Sequence, residues 1–205
     1  MFFASLVIAS SLLVQSFSGT GTAAAKPLGK AVLEETTGHH FQIFEFVGRP
    51  PHTWEHAELM VSGYMHEGVP GQLAKIPTAD VHYFLLGNFP LVGTVNMWFG
   101  LTAICRDGTA FEWVDGTALV ATPFRAWSDG AQRKISRGCR AGASSFKRFP
   151  VYYNSSKFGM RWEAANARTD VRYMIVEFVP LKKEENEAES KAVVKDDEAS
   201  KSGTQ

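Results

Sequence analysis

Arg125, Arg133, Lys134, Arg137, Arg140, Lys147 and Arg148 place seven positive charges in one stretch whose single acid is Asp129. Charge of one sign at this density concentrates oppositely charged partners and speeds encounter. Arginine can in addition clasp a carboxylate or sulfate with two parallel hydrogen bonds. The stretch therefore predicts contact with an anionic group: a sulfated or sialylated glycan, an acidic lipid head group or an acidic protein face. The competing expectation is a solvated loop screened by acids elsewhere in the chain. Gly130, Gly138 and Gly142 predict that this loop is flexible.

Thiols and imidazoles are the other reactive groups. Cys105 and Cys139 can pair in an oxidising compartment, and two unpaired thiols are equally compatible with the sequence. A cysteine nucleophile needs a depressed pKa, and the neighbours that could supply one are Arg106, Arg137 and Arg140. His52 and His56 lie four apart and His39 adjoins His40, but no cysteine or carboxylate cluster completes a zinc set. Structural histidines are expected, with no metal and no cofactor. The chain has no Gly-x-Ser-x-Gly elbow, phosphate loop or metalloprotease helix, which points to binding in place of catalysis.

A binding stretch needs a frame, and the 205 residues suffice for one domain with extensions. Phe2 to Phe17 is apolar but short for a membrane span. With Ala23-Ala24-Ala25 behind it, residues 1–25 read as a signal peptide. A secreted or extracellular protein is expected, periplasmic or at the cell surface in a bacterium, with no membrane span in the mature chain. Residues 26–40 read as a linker. Residues 180–205 read as a disordered charged tail, because they are rich in Lys, Glu and Asp and hold no aromatic residue. Basic and acidic residues balance at 21 each, which argues against a nucleic-acid surface.

Between these ends, residues 41–47 alternate as an aromatic strand. Thr53 can cap a helix carrying Trp54, Ala57, Val61 and Tyr64 at helical spacing. Thr78 can cap a second helix over 79–86, with Gly87 supplying a left-handed end. Short aromatic and β-branched runs follow at 95–102, 110–114, 151–153 and 173–179. Helices first and strands after predict an α+β fold.

The motifs in these elements have a shared order. Trp54 and Ala57, then Gly71-Gln72-Leu73-Ala74-Lys75-Ile76, then Trp98-Phe99-Gly100-Leu101 are followed by Phe111, Trp113, Asp115 and Gly116, by Trp127 and Gly130, and by Tyr173 and Glu177. In that order and spacing, residues 41–179 resemble a C-type lectin-like domain. The resemblance implies two helices, small antiparallel sheets and a long loop region, with the five tryptophans packing the frame. It also implies two disulfides, but their positions hold Val61 with Val176, and Pro150 with Ala165 or Asn166. The calcium triplets of the family fall on Ala131-Gln132-Arg133 and Trp162-Glu163-Ala164, where only Glu163 keeps a carboxylate. Calcium needs six to eight oxygen ligands. A calcium-independent binder of a glycan or a protein is therefore expected, with Glu163 joining the seven basic residues as a contact. The alternatives are a cysteine-dependent enzyme on the same scaffold and a calcium-dependent carbohydrate-binding lectin.

Overall fold

The computed structural model of the chain describes residues 24–105, 109–140, 147–156, 159–166 and 168–180. Most of the expected signal peptide, Arg106, Gly142 and nearly all of the charged tail lie outside the described residues. The architecture is α+β: among the described residues nine strands form a connected mixed sheet, and three α-helices pack around it.

Local sequence explains the two early helices. In α1 (Trp54–Val61) the Thr53 side chain accepts from the His56 amide, and Trp54, Ala57 and Val61 are buried. In α2 (Ala79–Asn88) Thr78 accepts from the Val81 amide and Asp80 lies in the first turn, favourable against the helix dipole. Gly87 does not end this helix in a left-handed turn. The helix runs through it to Asn88 and is closed by the extended residue Phe89.

The linker reading of residues 26–40 is corrected. They belong to an antiparallel hairpin of β1 (Ala24–Glu34) and β2 (His39–Val47). The Glu34 carboxylate accepts from the Thr36 and Thr37 amides, and Gly38 takes φ 72° to complete the turn. Lys26 pairs with Glu45 across the strands at 2.8 Å, which holds the polar strand in register.

The remaining strands are β3 (Met65–His66), β4 (Val69–Leu73), β5 (Met97–Cys105), β6 (Ala110–Trp113), β7 (Lys147–Ser156), β8 (Gly159–Ala164) and β9 (Tyr173–Phe178). Their main path runs β1-β2-β9-β5-β7-β8, with β4 beside β9 and β6 beside β5. All pairings along it are antiparallel except β5 with β9, which run parallel. The positions that the resemblance assigns to absent disulfides meet all the same. Val61 and Val176 are both buried and border the same point beside Gly71, and the Ala165 amide donates to the Pro150 carbonyl at 2.9 Å.

Trp98-Phe99-Gly100 is where the elements are joined. The Trp54 indole donates to the Phe99 carbonyl at 2.7 Å, and the Trp98 indole donates to the His52 carbonyl at 2.8 Å. The Gly100 amide donates to Ala74, and its carbonyl accepts from the Val114 amide. A Cβ at Gly100 would lie 2.5 Å from the Leu73 carbonyl oxygen and 3.0 Å from that of Ala74. Around Phe99, the rings of Trp113, Tyr153 and Trp162 pack at centroid distances of 4.9–6.1 Å. Trp54, Trp98, Trp113 and Trp162 are buried and Trp127 is half-buried, which matches the packing role expected of them. His82 is buried beside this cluster, with Nδ1 2.9 Å from the Tyr153 hydroxyl. Burial, aided by the charge of Arg161, holds its pKa below the ordinary value, and burial pushes the Tyr153 phenol up.

Gly100→Ala is expected to lower unfolding free energy by about 1–3 kcal/mol or more in urea titrations. Gly93→Ala, where an added Cβ meets nothing within 4 Å, should change it by less than about 0.5 kcal/mol. The depressed His82 pKa means that the unfolded chain binds the proton more readily than the folded one. Stability is therefore expected to rise with pH through this site and to be lost as pH falls below about 6.5. His82→Gln should flatten that part of the stability–pH curve, whatever its effect on absolute stability.

Candidate ligand-binding surface

The stretch expected to be a flexible loop contains a helix, α3 (Ala131–Arg140). Ala131, Ile135 and Cys139 recur every four residues and are buried, while Arg133, Lys134, Arg137 and Arg140 are exposed. Gly138 serves close packing in place of flexibility, since a Cβ there would lie 3.0 Å from the Phe149 ring. Arg137 and Arg140 occupy the last turn, where the helix dipole favours positive charge.

Two attachments hold α3. Before the helix, the Trp162 amide donates to Ala126 and the Ser128 amide donates to Trp162, which ties residues 126–128 to β8. At its far end Cys139 is bonded to Cys105 at the end of β5, with Cα atoms 5.1 Å apart. This bond settles the open question of the two thiols. It also removes the nucleophile that a cysteine-dependent enzyme would need.

The eight residues singled out in the sequence separate into distinct settings. Arg133, Arg137 and Arg140, spaced i, i+4 and i+7, fall within about 60° of arc on the helix surface. Their side chains make no hydrogen bond or ion pair with another of the described residues. Lys134 turns toward β8, where its ammonium lies 3.1 Å from the Glu163 carboxylate. Glu163 also accepts from the Ser128 hydroxyl at 2.6 Å and from the Ala164 amide at 3.1 Å. Its burial would raise its pKa, but these three donors outweigh that and leave the pKa lowered. The one carboxylate retained from the calcium triplets is thus neutralised by a cation of the protein itself.

Arg125 and Arg148 are not part of this face. The Arg125 guanidinium is occupied with the carbonyls of Leu119, Thr122 and Phe124, closing the turn before the helix. Arg148 lies over the Trp54 ring, 5.7 Å from its centroid, a cation–π contact. There it borders a cavity of about 390 Å³ formed with Pro50, Pro51, Trp98, Arg168 and Asp170. Lys147 lies opposite Cys105 in the β5–β7 ladder, and its side chain is outside the described residues.

The histidines regroup as well. His39 bonds the buried Glu177 carboxylate at 2.6 Å. His40 instead meets His66 and Glu67, and the donor atoms of these three lie within 4.8 Å of one another. Sequence spacing gave no signal for this cluster, because strand pairing alone brings the β3–β4 turn to β2.

No family model and no curated protein matches the chain. Among solved structures it is similar to EMS16, an antagonist of collagen receptor integrin α2β1, at 17% identity and a TM-score of 0.43, covering 73% of this chain and 97% of that one. It is also similar to rhodocetin, at 15% identity and a TM-score of 0.39, covering 80% of this chain and 100% of that one. At this distance neither likeness carries over a ligand.

The disulfide closes 34 residues of sequence separation, for which the chain-entropy estimate is about 3–4 kcal/mol. The Cys105→Ala/Cys139→Ala variant is expected to lose stability of that order. Amide exchange over residues 131–140 should accelerate more than exchange over β9, which would show that the bond holds the helix in place.

Proposed function

We propose that this chain is a binding protein on a C-type lectin-like scaffold that recognises an anionic glycan, without calcium, through the outer face of α3. The observation that carries the reading is the row of Arg133, Arg137 and Arg140, exposed and without an acidic partner among the described residues, on a helix fixed at both ends. Three unpaired guanidinium groups along one helical edge span about 10 Å. They suit a ligand with repeated sulfate or carboxylate groups, while a small neutral sugar would leave them unmatched.

Calcium independence is supported by the Lys134–Glu163 pair. A metal at Glu163 would have to displace the ammonium, and the residues that stand for the first calcium triplet, Ala131-Gln132-Arg133, bring no carboxylate. The same face also suits an acidic protein surface, because a convex helix offers no cavity that selects a sugar ring. A location outside the cell accords with the disulfide and with the apolar start of the chain. Among the described residues no helix is long and apolar enough to cross a membrane.

A glycan array run with calcium, with chelator and at raised salt tests this reading. The expected result is binding to sulfated or sialylated glycans that survives chelation and falls with salt. Replacing Arg133, Arg137 and Arg140 together by Ser should weaken it by at least about tenfold, or ~1.4 kcal/mol. Chelator-sensitive binding to neutral sugars would overturn the reading, and an empty array would transfer the face to an acidic protein partner.

A further inference from the structure

At the other side of the sheet, β2 and the β3–β4 hairpin flank the C-terminal end of β9. His40 is the cross-strand partner of Phe178 on one side, and Gly71 of β4 is its partner on the other. The turn between β3 and β4 consists of Glu67 and Gly68, both at positive φ, 51° and 80°. This arrangement sets the His66 ring 4.5 Å from the His40 ring and 5.3 Å from the Phe178 ring, with Glu67 beside them. A cavity of about 270 Å³ opens over the group, bordered by His40, His66, Glu67, Val69, Phe178 and Pro180.

We infer that His40, His66 and Glu67 form a binding site for a divalent transition metal of the zinc class. Two imidazoles and one carboxylate are a donor set that zinc favours, with the fourth position left to water or an external ligand. Magnesium and calcium prefer oxygen donors throughout. The three side chains are not occupied otherwise. Among the described residues none of them makes a hydrogen bond or ion pair, and Nε2 of His66 is buried with no partner at all. Leaving such a nitrogen unmatched is unfavourable, and a metal bond would offset that.

Donor atoms within 4.8 Å of one another must draw in to roughly 3.3–3.6 Å for tetrahedral bonds of about 2.0–2.2 Å. Glu67 is exposed on a turn, so rotation of its side chain can supply much of that movement. The cavity leaves room for the fourth ligand. The site involves neither α3 nor β8, and it stands or falls independently of the glycan reading.

Isothermal titration of the untagged full-length chain with Zn²⁺, and with Co²⁺ followed by visible absorption, tests the site. One ion per chain is expected, with a tetrahedral Co²⁺ spectrum and no response to Ca²⁺ or Mg²⁺. His40→Ala and His66→Ala should each weaken Zn²⁺ binding by at least about tenfold, while His56→Ala, an exposed histidine of α1, should not. Glu67→Gln, at an exposed turn position, should weaken it without disturbing the fold and serves if His66→Ala fails to fold. Absence of saturable Zn²⁺ binding would overturn the proposal. So would binding that persists undiminished in a folded His40→Ala/Glu67→Gln variant.

Discussion

Where β5 passes the carbonyls of Leu73 and Ala74, the space between the two backbones admits a hydrogen atom and no side chain. Much of the rest of the structure depends on this contact. It lets the Gly100 amide and carbonyl bond outward to Ala74 and Val114 at a place where the β5–β7 register shifts. The flanking residues can then accept and donate in other directions, Phe99 to the Trp54 indole and Trp98 to the His52 carbonyl. Three neighbouring segments, those of His52 and Trp54, of Ala74 and of Val114, are thereby fixed to three consecutive residues. The aromatic cluster around Phe99 fills the space that this arrangement leaves on the core side.

Parts of the fold with local causes were legible in the sequence. Thr53 and Thr78 announced α1 and α2, since an N-cap acts through the next few amides. Aromatic alternation announced β2 and β9. What escaped detection is set by distant partners. The first strand holds Pro27, Gly29 and three charges, and it is a strand because β2 offers it a ladder and Glu45 offers Lys26 a counter-charge. In α3 the apolar spacing of Ala131, Ile135 and Cys139 was present in the sequence. The expectation of a long loop and the reading of Gly138 as a source of flexibility obscured it.

The site was legible as a composition and not as an arrangement. All seven basic residues were named, yet the six whose side chains are described put their charges to different ends: Arg125 on carbonyls, Arg148 on an indole ring, Lys134 on Glu163, and three left to solvent. Charge counting cannot separate these cases, because each depends on which neighbour the fold supplies. The acids show the same division. Glu177 is buried and accepts from Gln72, Lys75 and His39, which makes it a fastening between β9, β4 and β2. Glu163 is held instead by an exposed lysine and by Ser128 beside it.

The bond between Cys139 and Cys105 bears on how the basic helix carries mechanical load. Any force applied to α3 would pass through the sulfur bridge into the end of β5. That strand is hydrogen-bonded to β6, β7 and β9, so tension spreads over several ladders instead of peeling an edge. The basic helix is in this way moored to an interior strand held on both of its edges.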